Sequence, residues 1–283
     1  MKKLIYFFAF LLMYFGTYAQ ETESDSGFVS KRGVEILPEA GDFAIGVNAV
    51  PFFNYVGNMF NNSVGNTVSF NFLNATNTIY GKYFLNEHSA IRVSFRFGNT
   101  THIDNEYIIK DQQIPDPEVL VNDAEKTVTC NSAFKLGFEK SRGKGRVHGI
   151  YGAEVGFYTV NIDKTYTYGN VMSATNSNPS TTNFGTNITA NGRATQELSG
   201  RTIGLGIDGF VGVEYFFAPK ISIGGEFTWG FDFYNSKEGT AIEESWDFTN
   251  NVLKTSNIKT AGDKGFGFDT GNMGGAIYLL FHF

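Results

Sequence analysis

A chain of 283 residues with a formal charge of −6, no basic run and one cysteine, Cys130, offers nothing for nucleic acid to bind. It has no second thiol for an intramolecular disulfide or a cysteine-built metal site. Glycine (33 residues) and phenylalanine (29) are abundant, yet beyond residue 19 no stretch reaches the about 20 apolar residues a membrane helix needs.

The chain opens with Met1-Lys2-Lys3, an apolar run from Leu4 to Phe15, and small residues at Thr17 and Ala19. That pattern predicts a secretory signal peptide over residues 1–19. Its removal takes away two lysines and no acid, moving the formal charge from −6 to −8. Residues 20–41 are polar and are expected to form an N-terminal tether.

From residue 42 onward the pattern is strand-like. Apolar side chains alternate with polar or small ones over Asp42–Pro51, Thr78–Leu85, Ala90–Gly98, Thr127–Lys140, Val147–Val160, Thr202–Phe217, Ile221–Tyr234 and Gly271–Phe283. Alternation places one set on one face of each strand. Short turns at Asn86–Ser89, Ser141–Arg146 and Ala218–Lys220 alternate with long polar segments, roughly residues 52–77, 99–126, 161–201 and 235–264. The expectation is an all-β, eight-stranded antiparallel transmembrane β-barrel over residues 42–283 with four long extracellular loops. Ten strands result if a long loop contributes a hairpin. Residues 171–195, rich in Asn, Ser and Thr, read as a flexible surface loop.

The apolar parity carries no charge: Phe43, Ile45 and Val47; Tyr83 and Leu85; Ile91 to Phe97; Phe134 to Phe138; Tyr151 to Phe157; Ile203 to Phe217; Ile221 to Phe233. Lipid offers a charge no partner, at a cost of ~2–4 kcal/mol for a mid-bilayer Arg or Lys. The short-turn/long-loop alternation, this uncharged face and the terminal Phe283 resemble the small OmpA- and OmpX-type outer-membrane barrels, and outer-membrane barrels of Bacteroidota more broadly. The resemblance implies an outer-membrane location in a Gram-negative bacterium, and the even strand number expected puts both termini on the periplasmic side. It also implies contact with membrane lipid, lipopolysaccharide and the barrel-assembly machinery. Asn272, Gly274, Ile277, Leu279, Phe281 and Phe283 are similar to the C-terminal signal that this machinery reads.

The opposite parity carries the charges: Lys82, Arg92, Arg96, Lys135, Glu139, Glu154, Asp208, Glu214, Glu226 and Asp232. Eight strands leave an interior that side chains can fill. Counting from the short turns sets Lys82 level with Glu214, and Arg92 and Arg96 level with Glu226 and Glu154. The expectation is a cross-lumen ion-pair network that is structural.

Chemistry is sparse. Of His88, His102, His148 and His282, only His102 is expected near the outer rim, with no serine paired to it by strand spacing. No catalytic, cofactor or metal residues are assigned. The acids Asp104, Glu106, Asp111, Asp116, Glu118, Asp123 and Glu125 lack the regular spacing of a calcium loop and read as a solvated acidic loop. The expected role is non-enzymatic: structural, adhesive or docking through the extracellular loops, toward an extracellular or periplasmic protein partner. A narrow or gated channel is the alternative, and a lipid-modifying barrel enzyme a third reading.

Overall fold

The structure, a computed structural model, describes residues 29–30, 33, 35–49, 79–190, 192–269 and 276–283. The expected signal peptide, the first long loop (52–77) and Asn272 and Gly274 lie outside these residues. Among the described residues there are twelve strands and no helix. They are β1 (Phe43–Asn48), β2 (Ile79–Asn86), β3 (Ser89–Ile109), β4 (Leu120–Lys144), β5 (Val147–Thr167) and β6 (Arg193–Leu198). They continue with β7 (Thr202–Ala218), β8 (Ile221–Ser236), β9 (Gly239–Asp247), β10 (Val252–Thr260), β11 (Lys264–Asp269) and β12 (Ala276–His282).

All belong to one antiparallel sheet that closes in part on itself. β1, β2, β3, β4, β5, β7, β8 and β12 pair in that order, and β12 returns to β1. The seam register is Ala44 opposite His282, Gly46 opposite Leu280 and Asn48 opposite Tyr278. Phe283 caps it, its ring stacked on Phe43 at 5.2 Å.

The strand count is corrected from eight, or ten, to twelve. Segments expected as long loops form paired structure of their own. β3, β4 and β5 run 21, 25 and 21 residues, well past the ring, so the turn between β3 and β4 spans only residues 110–119. β6, β9 and β10 continue that sheet in the order β10-β9-β6-β5. β11 pairs the upper half of β8 and β12 its lower half.

Burial follows the two-residue period. In β1 Phe43, Ile45 and Val47 are exposed while Ala44, Gly46 and Asn48 are buried. A small cluster of Ala44, Phe84, Ala90, Ile150, Tyr278 and Leu280 fills the ring at its short-turn end. Close packing there demands residues without a Cβ. A Cβ on Gly224 would lie 2.3 Å from the Tyr278 ring, and one on Gly152 would lie 2.7 Å from the Phe210 ring.

The turns use local chemistry. The Asn86 side-chain oxygen accepts from the His88 N–H at 2.9 Å. Arg146 Nη1 donates to the carbonyls of Phe216 and Phe217, tying two turns together. The C-terminal part of the expected tether is bound at this end. Ile36 is buried and its carbonyl accepts from Lys220 N–H, Gly41 N–H donates to the Phe84 carbonyl, and Lys220 pairs with Asp42.

Candidate functional site: a sealed charge network

Strand alternation brings the charged parity of six strands into the ring. Lys82, from β2, donates to Glu139 of β4 and Glu214 of β7, both at 2.6 Å. Arg92, from β3, holds Glu226 of β8 in a two-pronged bond at 2.9 Å per prong. It also reaches Glu139 at 3.3 Å and Glu154 of β5 at 3.4 Å. Lys135 of β4 joins Glu154 at 2.9 Å to Asp208 at 2.7 Å. Three cations and five carboxylates thus form one continuous chain across the ring.

The geometry is that of a buried polar core. The paired planar forks of Arg92 and Glu226 give directional, charge-assisted bonds. The guanidinium lies 4.0 Å from the Phe210 ring centroid, and the Lys82 ammonium 5.4 Å from that of Tyr278. Side chains of Lys82, Arg92, Glu139, Glu154, Glu214 and Glu226 are at most 6% exposed, whereas Lys135 reaches 36%. The network is therefore closed at the short-turn end and opens upward around Lys135.

Two residues expected in the network sit differently. Arg96 bonds the Asn131 side chain at 3.3 Å and makes no ion pair among the described residues. Asp232 lies higher, its carboxylate 2.9 Å from where a Gly206 Cβ would stand. Of the expected assembly-signal residues that are described, Ile277 and Leu279 are half-buried and Phe281 and Phe283 exposed.

The residue pattern did not reveal a serine–histidine–glutamate contact at the seam. Ser222 Oγ donates to Glu214 at 2.5 Å and meets His282 Nε2 at 2.8 Å. A hydrolytic triad needs the acid on the far nitrogen of the imidazole and a nucleophile open to substrate. Here Glu214 bonds the serine, His282 Nδ1 has no hydrogen-bond partner among the described residues, and Ser222 is fully buried. The trio extends the buried network to the C-terminus.

A second organised region lies beyond the ring, where the segment after β5 packs on β4. Asp123, fully buried, accepts from the Gly169 and Thr182 N–H groups and from the Thr181 hydroxyl. Asn170 donates to the carbonyls of Ile109 and Ser180 and accepts from Asp111 N–H. Arg193 pairs with Glu244 at 2.7 Å and lies 3.9 Å from the Tyr168 ring centroid. Burial pushes the Tyr168 hydroxyl up to about 12, a hydrogen bond from Asn187 opposing it. Burial also acts to raise Asp111, but hydrogen bonds from Asn176 and Ser180 outweigh it and hold this carboxyl below its ordinary value. Residues 171–190, expected as a surface loop, are held by such bonds, and the reading of Asp111 and Asp123 as merely solvated is corrected: short polar side chains here pin backbone amides. No protein-family model and no curated protein matches this chain.

Proposed function

We propose that the chain is an integral outer-membrane protein whose ring of eight strands crosses the bilayer as a closed, filled barrel. On this reading it serves as an anchor, and the sheet beyond the ring, with its pinned segment, is the surface it displays. The observation that carries this reading is the pairing of an uncharged, apolar outer face with a sealed charge network inside. Outside, Ile45, Leu136, Ile207, Val211 and Phe231 are each about half exposed. A water-facing β-sheet has no use for so many, whereas hydrocarbon chains would cover them. Inside, the buried side chains of Lys82, Arg92 and Glu139 occupy the cross-section a conduit would require.

Three short turns would then face the periplasm and the β3–β5 extensions the exterior. Expression in a Gram-negative host tests this. The protein should fractionate with the outer membrane and resist urea extraction. Protease on whole cells should cut within residues 161–201 or 235–264 and spare the turn at residues 218–220. Cleavage at that turn would reverse the orientation, and extraction by urea would sink the spanning reading.

A further inference from the structure

The outward face changes character abruptly at one place on the rim. Continuing the lipid-facing parity upward, Leu205 and Ile203 of β7 are followed by Arg201, just before the strand begins. Phe231, Phe233 and Asn235 of β8 are followed by Lys237, just past its end, and β11 runs from Phe268 and Phe266 to Lys264. The register aligns these positions. Ile203 pairs with Asn235 and Asn235 with Lys264. One rung higher, Lys237 N–H donates to the Arg201 carbonyl at 3.1 Å. All three cations are exposed, and none makes an ion pair or side-chain hydrogen bond among the described residues.

Glycines bring the three segments together. A Cβ on Gly200 would lie 1.7 Å from the Lys237 carbonyl oxygen, and one on Gly262 would lie 2.1 Å from that of Ser236. The backbones therefore touch. Arg201 lies one strand spacing from Lys237, about 5 Å, and Lys264 lies diagonally from Lys237, about 7–8 Å. Arg201 and Lys264 are two strand spacings apart, about 10–12 Å, within reach of long side chains. Like charges directly opposite on one face destabilise a strand pair, so Arg201 beside Lys237 is unfavourable without an anion between them. The neighbouring acids are engaged elsewhere or turned away: Glu238 pairs with Lys259 at 3.2 Å, Asp163 accepts from the Asn161 side chain at 2.7 Å, and Asp263 is on the opposite parity to Lys264.

Among the described residues the neighbouring positions on this parity are neutral: Asn161 of β5 pairs with Cys130 of β4, and Cys130 with Asn99 of β3. A chain this acidic thus gathers on one side three cations with no ion-pair partner among the described residues, within two rungs above Phe266, Phe233 and Leu205.

We propose that Arg201, Lys237 and Lys264 form a binding site for the phosphate group of an outer-leaflet lipid whose acyl chains lie on the aromatic face below. The inference rests on the spanning orientation above. Arg201 supplies a planar fork for two phosphate oxygens, the lysines point charges, and the Phe231–Phe268 and Phe233–Phe266 pairs an apolar bed. Cations near a membrane surface each add about fivefold to affinity for an anionic lipid, so the three together contribute about a hundredfold.

The test reconstitutes the full chain in phosphatidylcholine vesicles and in detergent, alongside a variant carrying Arg201→Gln, Lys237→Gln and Lys264→Gln. A control carries Lys110→Gln, Lys126→Gln and Lys254→Gln, with the same change in net charge. Urea resistance in vesicles reads the spanning orientation independently of the site. Retention of lipid A, dephosphorylated lipid A and inorganic phosphate, followed by native mass spectrometry, reads the site. Wild type and control are expected to hold phosphorylated lipid A about a hundredfold more tightly than the triple variant, with little retention of the dephosphorylated form. Equal retention by wild type and the triple variant, or by the two lipid forms, overturns the site while leaving the spanning reading intact. Inorganic phosphate binding as tightly as the lipid overturns the lipid assignment.

Discussion

The interior of the ring and the sheet beyond it both bury polar groups, but by opposite means. Inside the ring, Lys82, Arg92 and Lys135 meet carboxylates on other strands, up to 134 positions away in sequence. Beyond the ring, Asp123, Asn170 and Asn187 mostly hold backbone amides and carbonyls. A ring of strands satisfies its own backbone, so its interior is left with side chains to pair. An irregular segment has unsatisfied backbone groups, and short amide and carboxylate side chains stand in for the missing strand neighbour. One region should therefore fail by stranding a charge, the other by local loosening.

The largest expected effect is in the ring. Glu226 has Arg92 as its only ion-pair partner among the described residues, so Arg92→Met leaves a buried carboxylate uncompensated. A loss of ~3–5 kcal/mol is expected, read as a lowered unfolding temperature in detergent. Adding Glu226→Gln to Arg92→Met should recover part of it, and strictly additive effects would dissolve the network. Next comes Val211→Arg on the outer face, expected to cost ~2–4 kcal/mol and to impair insertion into vesicles. Normal insertion of that variant would contradict the lipid-facing assignment.

Smaller effects belong to the outer sheet. Asp123→Ala removes the acceptor for two amides and a hydroxyl, for ~1–3 kcal/mol locally. Faster amide exchange or proteolysis within residues 168–190, with the unfolding temperature of the ring unchanged, is the expected signature. A fall in both together would mean that the regions are one cooperative unit. The smallest effect is with pH. Asp111 in the folded state lies below its ordinary value of 3.8, so its stabilising bonds are fully present above that value. They are lost as pH falls through the lowered one. Exchange around residues 173–180 should rise only in that acid range, and Asp111→Asn should remove this dependence.

How far the sequence could be read follows the same division. Parity alone separated the exposed apolar face from the buried charged one, because a strand has only two sides. Counting from the short turns set Lys82 level with Glu214, and Arg92 and Arg96 level with Glu226 and Glu154. Lys82 lies 2.6 Å from Glu214, and Arg92 lies 2.9 Å from Glu226 and 3.4 Å from Glu154. The count failed one rung up at Arg96, since strand tilt and stagger carry cross-lumen neighbours away from equal counts with distance from the turn. The contact between Ser222 and His282 was hidden because no turn sets the register of β12 against β8. The extra strands β6, β9 and β10 were missed because their alternation is polar on both faces, which period alone cannot tell from a loop. Asn170 and Asn187 look like loop composition until the backbone groups they satisfy are seen.

Single-channel recording in planar bilayers tests the sealed lumen most directly. The unmodified protein should insert, resist urea and remain electrically silent at moderate voltage, because Lys82, Arg92 and their carboxylates close the cross-section. Stable, reproducible openings from inserted protein would contradict the anchor and make the lumen a transport path.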